Sequence, residues 1–153
     1  MKFVIERIHR VFELAPGERV ILVQAWGLFV LVEVALRILS FTRLLTLSDT
    51  LFLKRRGRAD AVPVPSLPRL AWLVEVAGRY VPVNATCLKQ ALVLSWILGR
   101  RGIATTLRIG VARPEGILEA HAWLERQGEA IGGLTGDGYE PLGPPVMRRP
   151  ETR

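Results

Sequence analysis

Apolar residues recur along the chain with two different periods, and the change between them divides the sequence. Up to about residue 101 they return every three or four positions, which predicts amphipathic helices. Beyond residue 104 they alternate with polar or small residues, which predicts strands. Helices are predicted over 2–14, 18–40, 41–56, 67–80 and 86–101, and strands over 105–111, 117–126 and 129–131. Helices followed by antiparallel strands indicate an α+β fold.

Proline and glycine mark the expected boundaries. Pro63, Pro65 and Pro68 fall in a stretch, 57–68, that has no helical period, so it is predicted to be a linker or an extended crossing segment. We therefore expect a helical N-terminal part at 1–56, a connecting segment at 57–68 and a core at 69–140. Residues 141–153 are expected to form a poorly ordered tail.

The helix at 18–40 is apolar enough to suggest a membrane span, but Gln24, Glu33 and Arg37 interrupt it. Glu33 can pair with Arg37 at i, i+4 spacing. Charges at the bilayer centre cost about 2.5–3.5 kcal/mol each on insertion scales. The late start and the lack of a small-residue cleavage site disfavour a signal peptide. We expect a buried or partner-contacting helix of a cytoplasmic protein; a membrane-surface protein is the minor alternative.

The strand at 117–126 separates two kinds of side chain, because successive side chains of a strand point to opposite faces. One face is apolar or small and is expected to pack in the core: Leu118, Ala120, Ala122 and Leu124. The other face is ionisable or aromatic: Glu119, His121, Trp123 and Glu125. This second face suits a cleft, and the alternative is an exposed strand face with an incidental histidine.

Composition excludes several classes of protein. A single cysteine forms no intramolecular disulfide and agrees with a reducing compartment. One cysteine and two distant histidines make no zinc spacing, and neither phosphate-binding glycine motif is present, so we expect no metal and no cofactor. The net charge is +7, from 21 Lys and Arg against 14 Asp and Glu. The basic residues are scattered and no nucleic-acid-binding motif accompanies them, so no nucleic-acid partner is expected.

Cys87 and His121 are the candidate catalytic residues. Thr86 is a plausible N-cap, which places Cys87 in the first turn of a helix, beside unpaired N–H groups and the positive end of the helix dipole. Both favour the thiolate, which is the nucleophilic form. His121 on a later strand could serve as its general base. The alternative is that Cys87 is a small buried apolar residue.

Four motifs, in this order and spacing, resemble the B2 proteins of lasso-peptide biosynthesis, which are transglutaminase-like, papain-related cysteine peptidases. They occupy residues 87–94 (CLKQALVL), 99–102 (GRRG), 107–111 (LRIGV) and 120–125 (AHAWLE). The resemblance is specific over roughly residues 70–131, the span that these motifs bracket. It implies a papain/transglutaminase-like core, with the cysteine on a helix and the histidine on the antiparallel strands that follow.

The resemblance also implies an activity, a thiol protease that removes the leader from a ribosomally made precursor peptide. Cys87 would attack the scissile carbonyl and His121 would take and return the proton. A separate leader-binding protein would deliver the precursor, and a lasso cyclase would then close the macrolactam on the freed amine. The alternative is a non-catalytic peptide-binding or scaffold subunit of the same maturation complex.

The third catalytic member departs from the family pattern. Related enzymes carry an Asp or Asn on the strand after the histidine strand, whereas this chain has glycines there. Asp137 is the predicted substitute, and Glu125 or a backbone carbonyl are alternatives. The N–H of Cys87 is the expected first donor of the oxyanion hole. Asn84 is a candidate second donor, although a turn residue is the simpler interpretation.

Overall fold

The computed structural model describes residues 14–54, 65–132 and 138–148, with side chains described to residue 47 in the first range and to residue 147 in the last. Four helices precede the strands: α1 Pro16–Ile38, α2 Phe41–Lys54, α3 Leu67–Tyr80 and α4 Cys87–Arg100. Five strands follow: β1 Thr106–Ala112, β2 Glu119–Arg126, β3 Glu129–Ala130, β4 Glu140–Pro141 and β5 Met147–Arg148. The helix predicted before residue 14 and residues 57–64 of the connecting segment lie outside the described ranges.

Helix α4 begins and ends where the sequence predicts. Thr86 has an extended backbone, and its side-chain oxygen accepts a hydrogen bond from the Lys89 N–H at 3.5 Å, which caps the first turn. Gly102 adopts φ 74° just beyond the last turn, a conformation that glycine reaches without strain. Cys87 is therefore the first residue of the helix, as expected.

The middle of α4 is enclosed on all sides. Every residue from 91 to 98 is buried, so this stretch has no solvent-facing side. Helices α1 and α3 contact α4, and so do strands β1 and β2. A helix that is apolar all round belongs in the interior, and α4 is accordingly the element around which the others are arranged.

Helix α1 is buried on one face only. Ile21, Ala25, Phe29 and Val32 recur at helical spacing and are fully buried in the same core as α3 and α4. By length and composition α1 could cross a membrane, and it is the one such helix in the described part of the chain. A core helix meets the same two criteria, and the buried row shows that α1 contributes to the core. Helix α1 and the later helices share that core. The predicted division of the chain at 57–68 stays a prediction.

The sheet has the order β3-β2-β1-β4, with β5 also paired to β1, and all pairs are antiparallel. The register of β1 and β2 places Gly110 opposite His121. Gln127 and Gly128 both have positive φ, 54° and 88°, and make the tight turn that was predicted between β2 and β3. These pairings confirm the antiparallel strands that the alternation predicts.

The prediction of a poorly ordered tail from residue 141 is wrong as far as residue 148. Strand β4 pairs with Gly110 and Val111, and β5 pairs with Thr106 and Leu107. Met147 is buried in the core. Two-residue strands leave almost no alternation in a sequence, so they are recognised only by the partner strand that they meet.

The predicted faces of β2 also need a correction. Trp123 was expected to face a cleft, but it is only 3% exposed because its ring lies over Gly110. A Cβ at Gly110 would come within 2.8 Å of both the Trp123 ring and the Glu140 carbonyl oxygen, so only glycine fits there. Leu118 and Ala120 were expected in the core and are exposed, since they lie at or before the beginning of the strand.

The buried row of α1 predicts a large difference between two substitutions on that helix. Phe29→Ala should destabilise the protein by about 3–5 kcal/mol, as is typical of a large buried side chain truncated to alanine. Ile38→Ala is the matched control, because Ile38 is 76% exposed on the same helix, and it should change stability by less than about 0.5 kcal/mol. Urea unfolding of both variants measures the difference, and equal effects would show that α1 does not pack in the core.

Candidate active site

Cys87 is half-buried at the first position of α4. The first N–H groups of a helix have no partner inside it. Among the described residues, the N–H groups of Cys87 and Leu88 have no hydrogen-bond acceptor, whereas that of Lys89 bonds to Thr86. Free amides and the positive end of the helix dipole therefore lie beside the thiol, an arrangement that stabilises negative charge.

The loop that leads into Cys87 is held by two side chains from the first turn of α4. The Lys89 ammonium donates to the Asn84 carbonyl at 2.7 Å, and the Gln90 amide donates to the Ala85 carbonyl at 3.1 Å. These bonds satisfy the backbone of the loop and set the direction from which the chain enters the helix. Cys87 thus has a fixed position on its N-terminal side.

Lys89 also joins this loop to α1. Its ammonium bonds to the Glu33 carboxylate at 2.5 Å, and the two side chains are 14% and 16% exposed. The pKa of Glu33 is lowered, first by the hydrogen bond from Lys89, with burial acting in the opposite direction. Arg37 also bonds to Glu33, as the i, i+4 spacing predicted, but it is largely exposed. Glu33 therefore connects a charge on α1 to the loop before Cys87.

His121 lies between two aromatic rings. On β2, the Trp123 ring is nearly parallel to the imidazole at a centroid distance of 6.2 Å, and the Tyr139 ring lies 5.0 Å away, tilted by 36°. Both distances are within the range of favourable aromatic contacts. Burial lowers the pKa of His121 below its ordinary value of 6.5, because it disfavours the charged imidazolium. The imidazole is thus neutral at neutral pH and can accept a proton.

Tyr139 contacts His121, and its ionisation is affected by the charge of Cys87. Besides its contact with His121, its hydroxyl donates to a Glu119 carboxylate oxygen at 3.3 Å. The pKa of Tyr139 is raised, first by burial, then by the hydrogen bond to Glu119 and its charge, and also by the charge of Cys87. Tyr139 therefore lies within electrostatic reach of the cysteine while its ring contacts the histidine.

Sequence reasoning missed Tyr139. It stands alone as an aromatic residue beside Gly138, in a stretch without any periodicity. Strand β4 begins at the next residue, Glu140, and its pairing with β1 brings Tyr139 to the site. The one available signal was an aromatic residue among glycines.

Glu125 holds Trp123, the residue beside His121, by a hydrogen bond. Its two carboxylate oxygens accept hydrogen bonds from Trp123 Nε1 at 3.0 Å and from Arg108 Nε at 3.1 Å. It thereby holds the indole that lies beside His121 rather than the imidazole itself. Within the described part of the chain, no carboxylate is hydrogen-bonded to the His121 ring. Asp137, the predicted third member, lies outside the described residues, and so does His9.

Asn84, the candidate second oxyanion donor, is an exposed loop residue. Its carbonyl oxygen accepts from the Thr86 N–H at 3.1 Å as well as from Lys89. These contacts agree with the simpler interpretation as a turn residue. No cluster of three or more metal-binding side chains occurs in the described ranges.

A family model described as the transglutaminase-like superfamily matches residues 28–143. The match covers more than half of the chain and includes α3, α4 and the strands from β1 to β4. Together with the observed helices and antiparallel sheet, it confirms the predicted α+β, transglutaminase-like core. Comparisons with curated proteins and with solved structures give no match. The matching model describes the superfamily as a whole and does not single out the lasso-peptide enzymes.

The environment of His121 predicts how its titration responds to Tyr139. Tyr139→Ala should raise the pKa of His121 toward 6.5, because water then reaches the imidazole and stabilises its charged form. Tyr139→Phe keeps the ring and loses only the hydroxyl, so the pKa should stay low. NMR titration of the imidazole protons measures both, with the second histidine assigned from a His9→Gln variant. An unchanged pKa in Tyr139→Ala would show that the Tyr139 ring does not shield His121.

The contacts of Lys89 predict a local loosening of the loop. Lys89→Met removes the bonds to Asn84 and Glu33, so the amides of residues 83–90 should exchange with deuterium faster than in the unmodified protein. Arg37→Met is the control, because Arg37 bonds to Glu33 from the solvent side and exposed pairs contribute little. Hydrogen exchange followed by mass spectrometry compares the two. Equal exchange in this segment for both variants would contradict the role of Lys89.

Proposed function

The chain belongs to the transglutaminase-like superfamily, and from this membership we propose that it is a cysteine endopeptidase that removes the leader from a ribosomally made lasso precursor peptide. The observation that supports the activity is the contact of His121 with Tyr139, whose pKa is also raised by the charge of Cys87. The lasso precursor as substrate depends on the four motifs quoted above, three of which lie in α4, β1 and β2.

The proposed reaction has two steps at one site. The Cys87 sulfur attacks the scissile carbonyl carbon as the neutral His121 accepts the thiol proton. His121 then returns that proton to the leaving amine, which departs as the new N-terminus and leaves a thioester on Cys87. Water, deprotonated by His121, hydrolyses the thioester and restores the thiol. The first-turn N–H groups of α4 would bind the oxygen that becomes negative in both steps.

The surroundings of His121 suit this cycle. A base works best when its pKa lies near or below the working pH, so that it is unprotonated before it acts. Burial between two rings lowers the pKa of His121 in that direction. The rings also restrict how the imidazole can turn, a task that a hydrogen-bonded acid performs in related enzymes. A peptidase with this site could therefore act with a weak or absent third member, and Asp137 remains the proposed candidate for it.

The proposed partners follow from the leader peptidase assignment. The precursor is held through its leader by a separate leader-binding protein, which raises the effective concentration of the scissile bond. The lasso cyclase then uses the freed amine. We place the reaction in the cytoplasm, where precursor and partners would be made and where a single free cysteine stays reduced.

One observation favours a second function, a non-catalytic subunit that binds the peptide and positions its partners. In the described residues, no carboxylate orients His121, and Glu125 is engaged with Trp123 and Arg108. A scaffold would need the fold and the site's shape but no proton transfer. The two functions differ in whether Cys87 is required for cleavage.

Substitution of the two candidate residues tests the proposal. The protein is incubated with the precursor peptide and the leader-binding protein, and the products are identified by mass. Cys87→Ala should abolish cleavage while the protein stays folded and still binds the leader-binding protein. His121→Ala should lose about 10²–10⁴-fold in rate, the usual contribution of a general acid–base. His9→Ala, which alters the other histidine, is the control and should cleave normally.

Full processing by Cys87→Ala would exclude the peptidase mechanism. Binding of the precursor and the leader-binding protein by the unmodified protein, without any cleavage, would favour the scaffold. The same assay without the leader-binding protein should be slower at low precursor concentration, since the described core offers no separate leader-binding module.

A further inference from the structure

The outer face of α1 is apolar although it packs against nothing in the described structure. We define this outer face by five residues: Val20, Val23, Gly27, Leu31 and Val34. Val23 is 72% exposed and Leu31 is 54% exposed, and the other members are exposed as well. At 100° per residue the five lie within about 80° of the helix circumference, so they form a narrow row along its length. Such a continuous apolar row on a charged protein marks a contact surface.

Between Val20 and Val34 the outer face is symmetric about its centre, and Ile38, which is 76% exposed, continues the row beyond Val34. Val23 and Leu31 lie four residues before and after Gly27, and Val20 and Val34 lie seven residues before and after it. If two copies of α1 meet in antiparallel fashion at Gly27, Val20 faces Val34 of the other copy and Val23 faces its Leu31. Each contact then occurs twice. A surface that matches itself in this way is what a two-fold dimer requires.

Gly27 indicates that the occupant is a rigid helix. A Cβ built there meets nothing within 4 Å, so the fold itself does not need glycine at this position. Glycine in an exposed helix interior is less favourable than alanine, and it adds no apolar area that a lipid surface could bury. What glycine does provide is a notch in which another backbone can approach closely. A crossing helix uses that notch and a bilayer does not.

Charge favours the antiparallel orientation over the parallel one. The outer face carries no charge between Val20 and Val34, and Arg37 lies just beyond its C-terminal end. A parallel pair would bring two Arg37 side chains together, whereas an antiparallel pair separates them to opposite ends of the contact. Antiparallel helices also bring the positive end of each dipole to the negative end of the other.

We propose that this protein forms a two-fold homodimer in which the outer faces of two α1 helices pack antiparallel and cross at Gly27. The contact is at the small end of specific interfaces, below about 1,200 Å² in total, so the dimer forms in a concentration-dependent manner. Because α1 also holds Lys89 through Glu33, the dimer contact and the loop before Cys87 share one helix. The dimer does not depend on the proposed peptidase activity.

Cysteine cross-linking tests both the contact and its direction. Cys87→Ser first removes the single native cysteine, and Val20→Cys and Val34→Cys are then made separately and treated with a short bis-maleimide. Val20→Cys and Val34→Cys should each link poorly alone but efficiently when the two proteins are mixed. Efficient self-linking at both 20 and 34 would mean a parallel pair and would overturn the proposal.

Charge substitution supplies a test that does not require a cross-link. In sedimentation experiments the unmodified protein should pass from the chain mass of 17.1 kDa to twice that mass as its concentration rises. Val23→Glu should remain monomeric, and adding Leu31→Lys should restore the dimer, because the two new charges face each other only in the antiparallel register. Leu142→Glu is the control for an added charge at an exposed apolar position away from α1, and it should dimerise normally.

Two further outcomes would overturn the dimer. The first is an unmodified protein that stays monomeric at every concentration. The second is a monomer that binds phosphatidylcholine vesicles containing phosphatidylglycerol, with binding lost in Val23→Glu, which would assign the outer face to a membrane surface. Cleavage of the precursor by a monomeric Val23→Glu variant would leave the proposed function intact, so the two proposals fail independently.

Discussion

The enclosure of α4 is the constraint on which the rest of the structure depends. Its residues 91–98 are buried all round, so helices must cover one side and the sheet the other. Burial of each large apolar side chain stabilises the folded protein by about 1.5–3 kcal/mol. Helix α4 therefore contributes a large part of the hydrophobic stabilisation of the fold. Because Cys87 is its first residue, the packing that stabilises the protein also fixes the thiol at the edge of the core.

The site is assembled by contacts that each serve two purposes. Lys89 satisfies the loop before Cys87 and neutralises Glu33 of α1. Glu125 binds Arg108 and holds Trp123, whose ring lies beside His121 and over Gly110. Tyr139 contacts His121 and responds to the charge of Cys87, and it lies in a segment that has no periodicity in the sequence. The imidazole is thereby oriented by rings on β2 and beside β4, and its low pKa follows from the same enclosure.

Helix α1 has two faces with different roles. The inner row, with Phe29 at its centre, belongs to the core, while the outer face is a second apolar row around Gly27. Two rows on one helix raise its total hydrophobicity to that of a membrane span, which explains why composition alone is ambiguous there. A polar side chain distinguishes the core helix from a membrane span. Glu33 of α1 is ion-paired with Lys89 of α4, and this contact joins α1 to the rest of the fold.

Local signals in the sequence determined the helices at 67–80 and 86–101, the turn at Gln127 and Gly128, and the positions of Cys87 and His121. These depend on periodicity, capping and turn chemistry, which act over a few residues. Tertiary structure alone decided that Trp123 is buried, that residues 140–148 join the sheet and that Tyr139 belongs to the site. The physical reason is that strands of two residues have no period of their own and form only where β1 offers unpaired backbone groups. Likewise, burial at Trp123 depends on the missing side chain of Gly110, over which the indole ring lies only after the strands have paired.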